Sequence, residues 1–219
     1  MPIIAGPLRG SLWLAGSAPG PAKGLSTLFN RCEPGQLREA FALTRSGSVV
    51  FDVGANVGLY TLLFARNCSR VYAFEPVPSN LAWLARNLAW NRIDNVTVLP
   101  WAAGAESGLT AFAEGAHHSE GRVDAKGAMP AYAVALDAFS ARYGAIPDLI
   151  KIDVEGGELD VLKGAENLLR ARKPAILLST HGDGPKSDCL RFLRERGYGG
   201  IKPLDDADPA RAREFALTP

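Results

Sequence analysis

Cysteine is scarce in this chain. Cys32, Cys68 and Cys189 are the only three, too scattered for a disulfide framework, and no Cys-x-x-Cys or Cys/His pair has zinc spacing. Idle thiols in a reducing compartment are the expectation. Neither sign of charge is in excess: 24 Lys plus Arg face 23 Asp plus Glu, for a net charge of +1, and there is no dense basic run. No long-range field draws in nucleic acid, which is therefore not the expected substrate. No apolar run approaches the roughly 18–20 residues of a membrane span. The opening stretch lacks a charged leader, and its apolar residues are interrupted by Gly6, Pro7, Arg9 and Gly10, so it makes a poor signal peptide. A cytoplasmic protein without membrane contact is expected. The rest is ordinary globular material: 219 residues, 47% hydrophobic, enough for one core without covalent staples.

Residues 1–46 read as a lead-in, rich in Gly, Pro, Ala and Ser up to Lys23, with a helix predicted over Pro34 to Thr44. Residues 47–219 read as the main domain. Val49 to Val53 (VVFDV) is a continuous apolar run ending next to an acid, too short for a helix and rich in β-branched residues, which predicts a central parallel strand. A glycine turn, a helix over Leu59 to Arg66 and a strand over Val71 to Phe74 complete a β-α-β unit. Ser79 is the expected cap of the next helix, with Leu81, Leu84 and Leu88 on its buried face. Asn95 to Leu99 is a third strand. Leu109 to Ala113 and Ala131 to Leu136 predict a hairpin insertion over about 104–136, around a polar loop holding His117, His118 and Ser119. The two histidines are expected to be solvated, with substrate contact as the alternative. Asp148 to Val154 is a fourth central strand, Gly157 to Arg172 a helix, Ala175 to Ser179 a fifth strand, and Lys186 to Arg196 a last helix ending at Gly197. Strands alternating with helices imply an α/β sandwich: a mostly parallel sheet with helices on both faces.

In such sheets ligands bind beyond the carboxyl ends of the strands. The acids cluster there: Asp52, Glu75 and the Asp153–Glu155 pair. In the turn Asp52 to Gly58, Gly54 permits a tight reversal and Gly58 allows the next helix to pack closely. Glu75 follows Gly54 at about the 20-residue offset where an acid can hold ribose hydroxyls, which predicts an adenosine-bearing cofactor. A dinucleotide fingerprint needs glycine where Asn56 and Leu59 stand, so a nicotinamide dehydrogenase is disfavoured. Asp52 would sit badly against a diphosphate but suits a cofactor bearing an ammonium and a sulfonium, so S-adenosylmethionine fits better.

The segments VVFDVGANVGLYTLLFA, VYAFEPVPSNLAWLARNL, NVTVLPWAAG and DLIKIDVEGGELDVLKGAENLL together resemble the FkbM family of S-adenosylmethionine-dependent methyltransferases, from about Glu33 to Gly197. The resemblance implies the class I methyltransferase sheet, Rossmann-like and seven-stranded with the last strand antiparallel, and O-methylation of a sugar or natural-product hydroxyl. It also implies that Asp52, Gly54, Asn56 and Gly58 line the methionine part, that Glu75 holds the ribose, that Ala102 lies near the adenine, and that Asp153 and Glu155 face the methyl group and acceptor. One departure stands out: the family often has a glutamate shortly before the histidine after the fifth strand, where this chain has Ser179 and Thr180 before His181.

His181 is the first candidate for general base, beside the plainer reading of a histidine that only hydrogen-bonds a loop. Asp153 and Glu155, placed on one face by strand alternation, are candidates for base, hydroxyl anchor, or ligands of a hard divalent cation such as Mg2+. Backbone N–H groups at Tyr60 and Thr61, opening the first helix, can receive the cofactor carboxylate. Lys151 is expected to pair with Asp153. N- or C-methylation of a small molecule and a cofactor-binding protein without turnover remain alternatives. A homodimer contact is expected only if Trp13, Trp83 and Trp90 are exposed together.

Overall fold

A computed structural model describes residues 1–14, 26–114, 121–123, 127 and 129–219. His117, His118 and Ser119 lie outside them. After helix α1 (Pro34–Ala42) come β1 (Val49–Val53), α2 (Leu59–Asn67), β2 (Arg70–Phe74), α3 (Pro78–Trp90) and β3 (Val96–Leu99). The chain then forms β4 (Ala102–Ala103), β5 (Gly108–Glu114), β6 (Gly121–Val123), β7 (Met129–Val134) and α4 (Leu136–Tyr143). It returns through β8 (Leu149–Ile152), α5 (Glu158–Lys163), α6 (Glu166–Ala171), β9 (Ala175–Ser179), α7 (Asp183–Arg194), β10 (Gly200–Pro203) and β11 (Glu214–Thr218).

The main sheet has seven strands in the order β10-β11-β9-β8-β1-β2-β3. Strands β3, β2, β1, β8 and β9 run parallel, and β11 runs antiparallel to both of its neighbours. Alternation sends successive residues to opposite faces, so β1 feeds two cores: Phe51 and Val53 into one, Val50 into the other. The second core also takes Ile3, Leu8, Trp13 and Leu28, so the lead-in packs onto the same sheet as the rest of the chain.

The predicted hairpin is larger than the sequence reading allowed: a second sheet of order β4-β7-β5-β6, followed by the unforeseen α4. Phe139 of α4 ties this insertion to the main sheet. Its ring lies 5.5 Å from Phe51, 5.2 Å from Tyr72 and 5.1 Å from Phe74, centroid to centroid, in the edge-on geometry that aromatic quadrupoles favour.

Three local expectations are corrected. Ser79 does not cap α3: the helix opens on Pro78 after Val77, because the fixed φ of proline suits a first helical position. The helix predicted over Gly157 to Arg172 is two helices broken at Gly164, where a Cβ would lie 2.0 Å from the Gly104 carbonyl oxygen of the second sheet. Asp137 of α4 then caps the second piece, its carboxylate accepting from Asn167 N–H at 2.8 Å and Leu168 N–H at 2.9 Å. The fourth predicted strand stops at Ile152, leaving Asp153 just past its end and Glu155 in the turn that follows.

Candidate functional site

The carboxyl ends of β1, β2 and β8 open into a cavity of about 720 Å3, walled on one side by the second sheet from Ala102 to Phe112. Gly54 forms its floor with φ +74°, and a Cβ there would fall 1.9 Å from the Asp153 carbonyl oxygen, so only glycine lets the two strand ends meet. Asn56 follows with φ +51°, and its backbone N–H donates to Glu75 Oε2 at 2.8 Å.

Glu75 is buried, and its Oε1 accepts from Val77 N–H at 2.9 Å and Asn80 Nδ2 at 3.2 Å. Burial pushes its carboxyl up, while these donors and more distant Lys151 pull the other way. With three donors placed on a group that offers about four acceptor sites, roughly one lone pair, on Oε2, is left for a ligand hydroxyl.

Asp52 does not line this cavity. Its register partner on β8 is Lys151, so the side chain turns beneath the loop, fully buried. There Asp52 Oδ2 accepts from Thr61 Oγ1 at 2.5 Å, and Oδ1 lies 3.6 Å from Lys151 Nζ. Thr61 is buried with it, and Gly58 packs against Leu84 rather than against the cavity. Tyr60 reaches the cavity, its hydroxyl donating to Glu33 Oε2 at 2.8 Å.

Lys151 is the knot of the site. Its ammonium donates to the Gly54 carbonyl at 2.8 Å, sits 3.4 Å from Asp153 Oδ2 and lies over the Tyr60 ring at 5.3 Å. Burial works to lower its pKa, but Asp153 and Asp52 outweigh it and the net shift is upward. It stays charged and fixes the β1 turn to the end of β8.

Asp153, Glu155 and His181 converge at the far end of the cavity, each half-buried. A turn gathers them rather than the expected strand alternation: Glu155 adopts φ +52° and Gly156 φ +100°, which folds the carboxylate back toward His181. His181 Nε2 lies 3.3 Å from Glu155 Oε2 and 3.7 Å from Asp153 Oδ1. Its Nδ1 is held at 2.6 Å by Glu158 Oε1, a fully buried carboxylate at the start of α5 that sequence reasoning missed. The only signal for it was its place closing the run Asp153-Val-Glu-Gly-Gly-Glu158. Hydrogen bonding to Glu158 raises the His181 pKa to about 9 against the pull of burial, with Asp153 and Glu155 adding to the rise. On its own, this surrounding of carboxylates favours the protonated imidazole, with Nδ1 facing Glu158 and Nε2 facing the other two acids.

Among the described residues the lining carries Glu33, Glu75, Glu106, Asp153, Glu155, Asp160 and Glu214 against Lys151 and His181. That donor set, with Gly54 and the small wall at Ala102, fits a flat base attached to a cationic tail. Trp13 is buried at 1% exposure, Trp83 is half-buried under Arg86, and Trp90 is 52% exposed. The three do not form a shared exposed patch.

The strand order, the reversed β11 and a cleft at the parallel strand ends define a class I methyltransferase fold. The chain belongs to the FkbM methyltransferase family: the family model described as Methyltransferase FkbM domain matches residues 52–199. It is similar to the hexuronic acid methyltransferase AglP of Haloferax volcanii, 31% identical over 155 residues that cover 67% of this chain and 62% of that protein. It is also similar to the 31-O-demethyl-FK506 methyltransferase FkbM of Streptomyces tacrolimicus, 29% identical over 200 residues, covering 74% of this chain and 76% of that one. This chain thus spans less than two thirds of the length of AglP. A methyltransferase FkbM from Methylobacillus flagellatus KT shares the fold, with a TM-score of 0.59 and 20% identity over 94% of this chain and 56% of that structure.

Proposed function

We propose that this protein is an S-adenosylmethionine-dependent O-methyltransferase acting on a hydroxyl of a small, oxygen-rich acceptor such as a sugar or natural product. The observation that carries the reading is one continuous cavity with the Glu75 cup at one end and the Asp153–Glu155–His181 cluster at the other. S-adenosylmethionine would supply an electrophilic methyl group on a sulfonium whose positive charge is lost on transfer. Glu75 would accept from a ribose hydroxyl, the anionic lining would favour the cationic tail, and Ala102 would flank the adenine. Asp52, Gly58 and Thr61 act from beneath, by fixing the turn that Gly54 and Asn56 present. For in-line transfer, the protein's main task is to aim the acceptor oxygen, and the cluster at the β8 and β9 ends would hold it there and draw off its proton.

The relatives' names, which speak of a hexuronic acid and a 31-O-demethyl compound, support an oxygen acceptor. Among the described residues no helix is long and apolar enough to cross a membrane, and none of the three cysteines forms a disulfide, which supports a reducing, cytoplasmic setting.

Calorimetric titration tests the reading. S-adenosylmethionine should bind the wild-type chain and NAD should not. Glu75→Gln should weaken the methyl donor by about tenfold or more, the worth of a hydrogen bond to a charged group. Absence of donor binding to the wild type would sink the assignment.

A further inference from the structure

The His181 corner holds more negative charge than its imidazole can balance. Asp153, Glu155 and Glu158 surround one ring, and although Lys151 takes part of the Asp153 charge, Glu158 Oε2 is buried with no hydrogen-bond partner among the described residues. The two ring nitrogens are treated differently. Nδ1 is clamped by Glu158, whose Oε1 also accepts from Gly156 N–H at 2.9 Å, whereas Nε2 stands 3.3 and 3.7 Å from the other two carboxylates. Those separations exceed the about 2.7–3.2 Å of a well-formed N–H···O bond. They are close to the roughly 3.0–3.5 Å at which a metal ion bonded at about 2.1 Å holds two of its ligands apart.

We infer that Asp153, Glu155 and His181 Nε2 form a binding site for a divalent first-row transition-metal ion such as Mn2+, with Glu158 as the carboxylate that orients the histidine ligand. The donor atoms lie within 4.8 Å of one another, and rotation of the two half-exposed carboxylates closes the set. A carboxylate behind the second nitrogen of a ligating imidazole is the usual device for fixing its tautomer and strengthening it as a ligand. The imidazole among the donors favours a transition-metal ion over Mg2+, which prefers oxygen and retained water, while the two carboxylates suit Mn2+, the paramagnetic member of the series used as the probe. A dication also answers the charge excess, offsetting two carboxylates where a protonated ring offsets one. Three protein ligands leave positions open toward the cavity, where the ion would hold an acceptor oxygen and ease loss of its proton. That role, unlike the site itself, rests on the methyltransferase reading above.

The test uses the full chain, stripped with a chelator and titrated with Mn2+, free ion being followed by electron paramagnetic resonance. One Mn2+ per chain is expected, and spin-echo modulation should show a coupled imidazole nitrogen that His181→Ala abolishes. Glu155→Gln should weaken the ion at least about tenfold, and Glu158→Gln, which removes only the orienting charge, by about 10–100-fold. The site is overturned if no Mn2+ binds at about 1 mM, the weak end of protein cation sites. It is equally overturned if the wild type shows no nitrogen coupling, or if His181→Ala and Glu155→Gln bind as the wild type does. Should a variant fail to fold, the nitrogen coupling in the wild type still decides the question. Titration with S-adenosylmethionine runs in parallel: donor binding without Mn2+ binding removes the metal site alone, and Mn2+ binding without donor binding removes the methyltransferase reading alone.

Discussion

Lys151 shows how one side chain can hold together the backbone turns of a site. It lies on a strand whose four residues are all buried, where a lone ammonium would be costly, and it is tolerated because Asp52 and Asp153 flank it and the Gly54 carbonyl accepts from it. Lys151→Met would leave Asp52 as a fully buried carboxylate facing only Thr61. Removing one partner of a buried pair costs about 3–5 kcal/mol, so the variant's urea midpoint should fall steeply. The paired change Asp52→Asn with Lys151→Met should recover part of that loss, because the only carboxylate then left without Lys151 is Asp153, which is half-buried and can be solvated. If the single variant unfolds at the wild-type midpoint, the Lys151 ion pairs are not what holds the turn.

At the scale of elements, the break between α5 and α6 is a packing solution. Gly164 touches the Gly104 backbone closely enough that a methyl group cannot be inserted, which lets the second sheet lie against the helical layer. Gly164→Ala should therefore cost about 1–3 kcal/mol, the range for overfilling a packed contact, and thermal unfolding should show it. The same substitution would be stabilising in one uninterrupted helix, where alanine is the better helix former. This element also marks where sequence reasoning runs out. Strands β1, β2, β8 and β9 were legible because they are largely buried and read as short, mostly apolar runs, interrupted only by single polar residues such as Asp52 and Lys151. The break at Gly164 was not, since the 3.6-residue pattern of Leu159, Leu162 and Leu169 continues across it. Likewise, the spacing of Asp153 and Glu155 suggested alternation along a strand, while the actual meeting depends on a left-handed residue at Glu155. Glu158 was overlooked because its partner lies 23 positions away on another strand end. Asp52 was misplaced for a related reason: alternation along β1 puts it on the face it shares with Lys151, and the pairing with that residue and Thr61 keeps it beneath the turn.

Across the whole molecule, the carboxylates gathered at one rim link stability to pH. Burial raises the Glu214 pKa to about 7 from an ordinary 4.5, with Asp153 and Glu33 adding to the rise and Ser179 and Lys151 opposing it. A carboxyl that binds its proton more tightly when folded favours the native state fully below its unfolded pKa. That contribution is lost as pH rises from about 4.5 through about 7. Wild-type protein should therefore lose more stability between pH 5 and pH 8 than Glu214→Gln does, as read from urea unfolding at the two values. Equal losses would show that Glu214 does not carry this linkage.

Glu214 also opens β11, the strand that runs against its neighbours and sits between β9 and β10. During synthesis β10 leaves the ribosome before β11, yet it has no strand to pair with until β11 fills the gap. Until then the β9 edge lies open, a ready template for unwanted strand pairing, and nothing seals it before the β11 residues have followed β10 out of the ribosome. The seven-stranded sheet is thus closed from within its own interior, after most of the cavity wall has already been made.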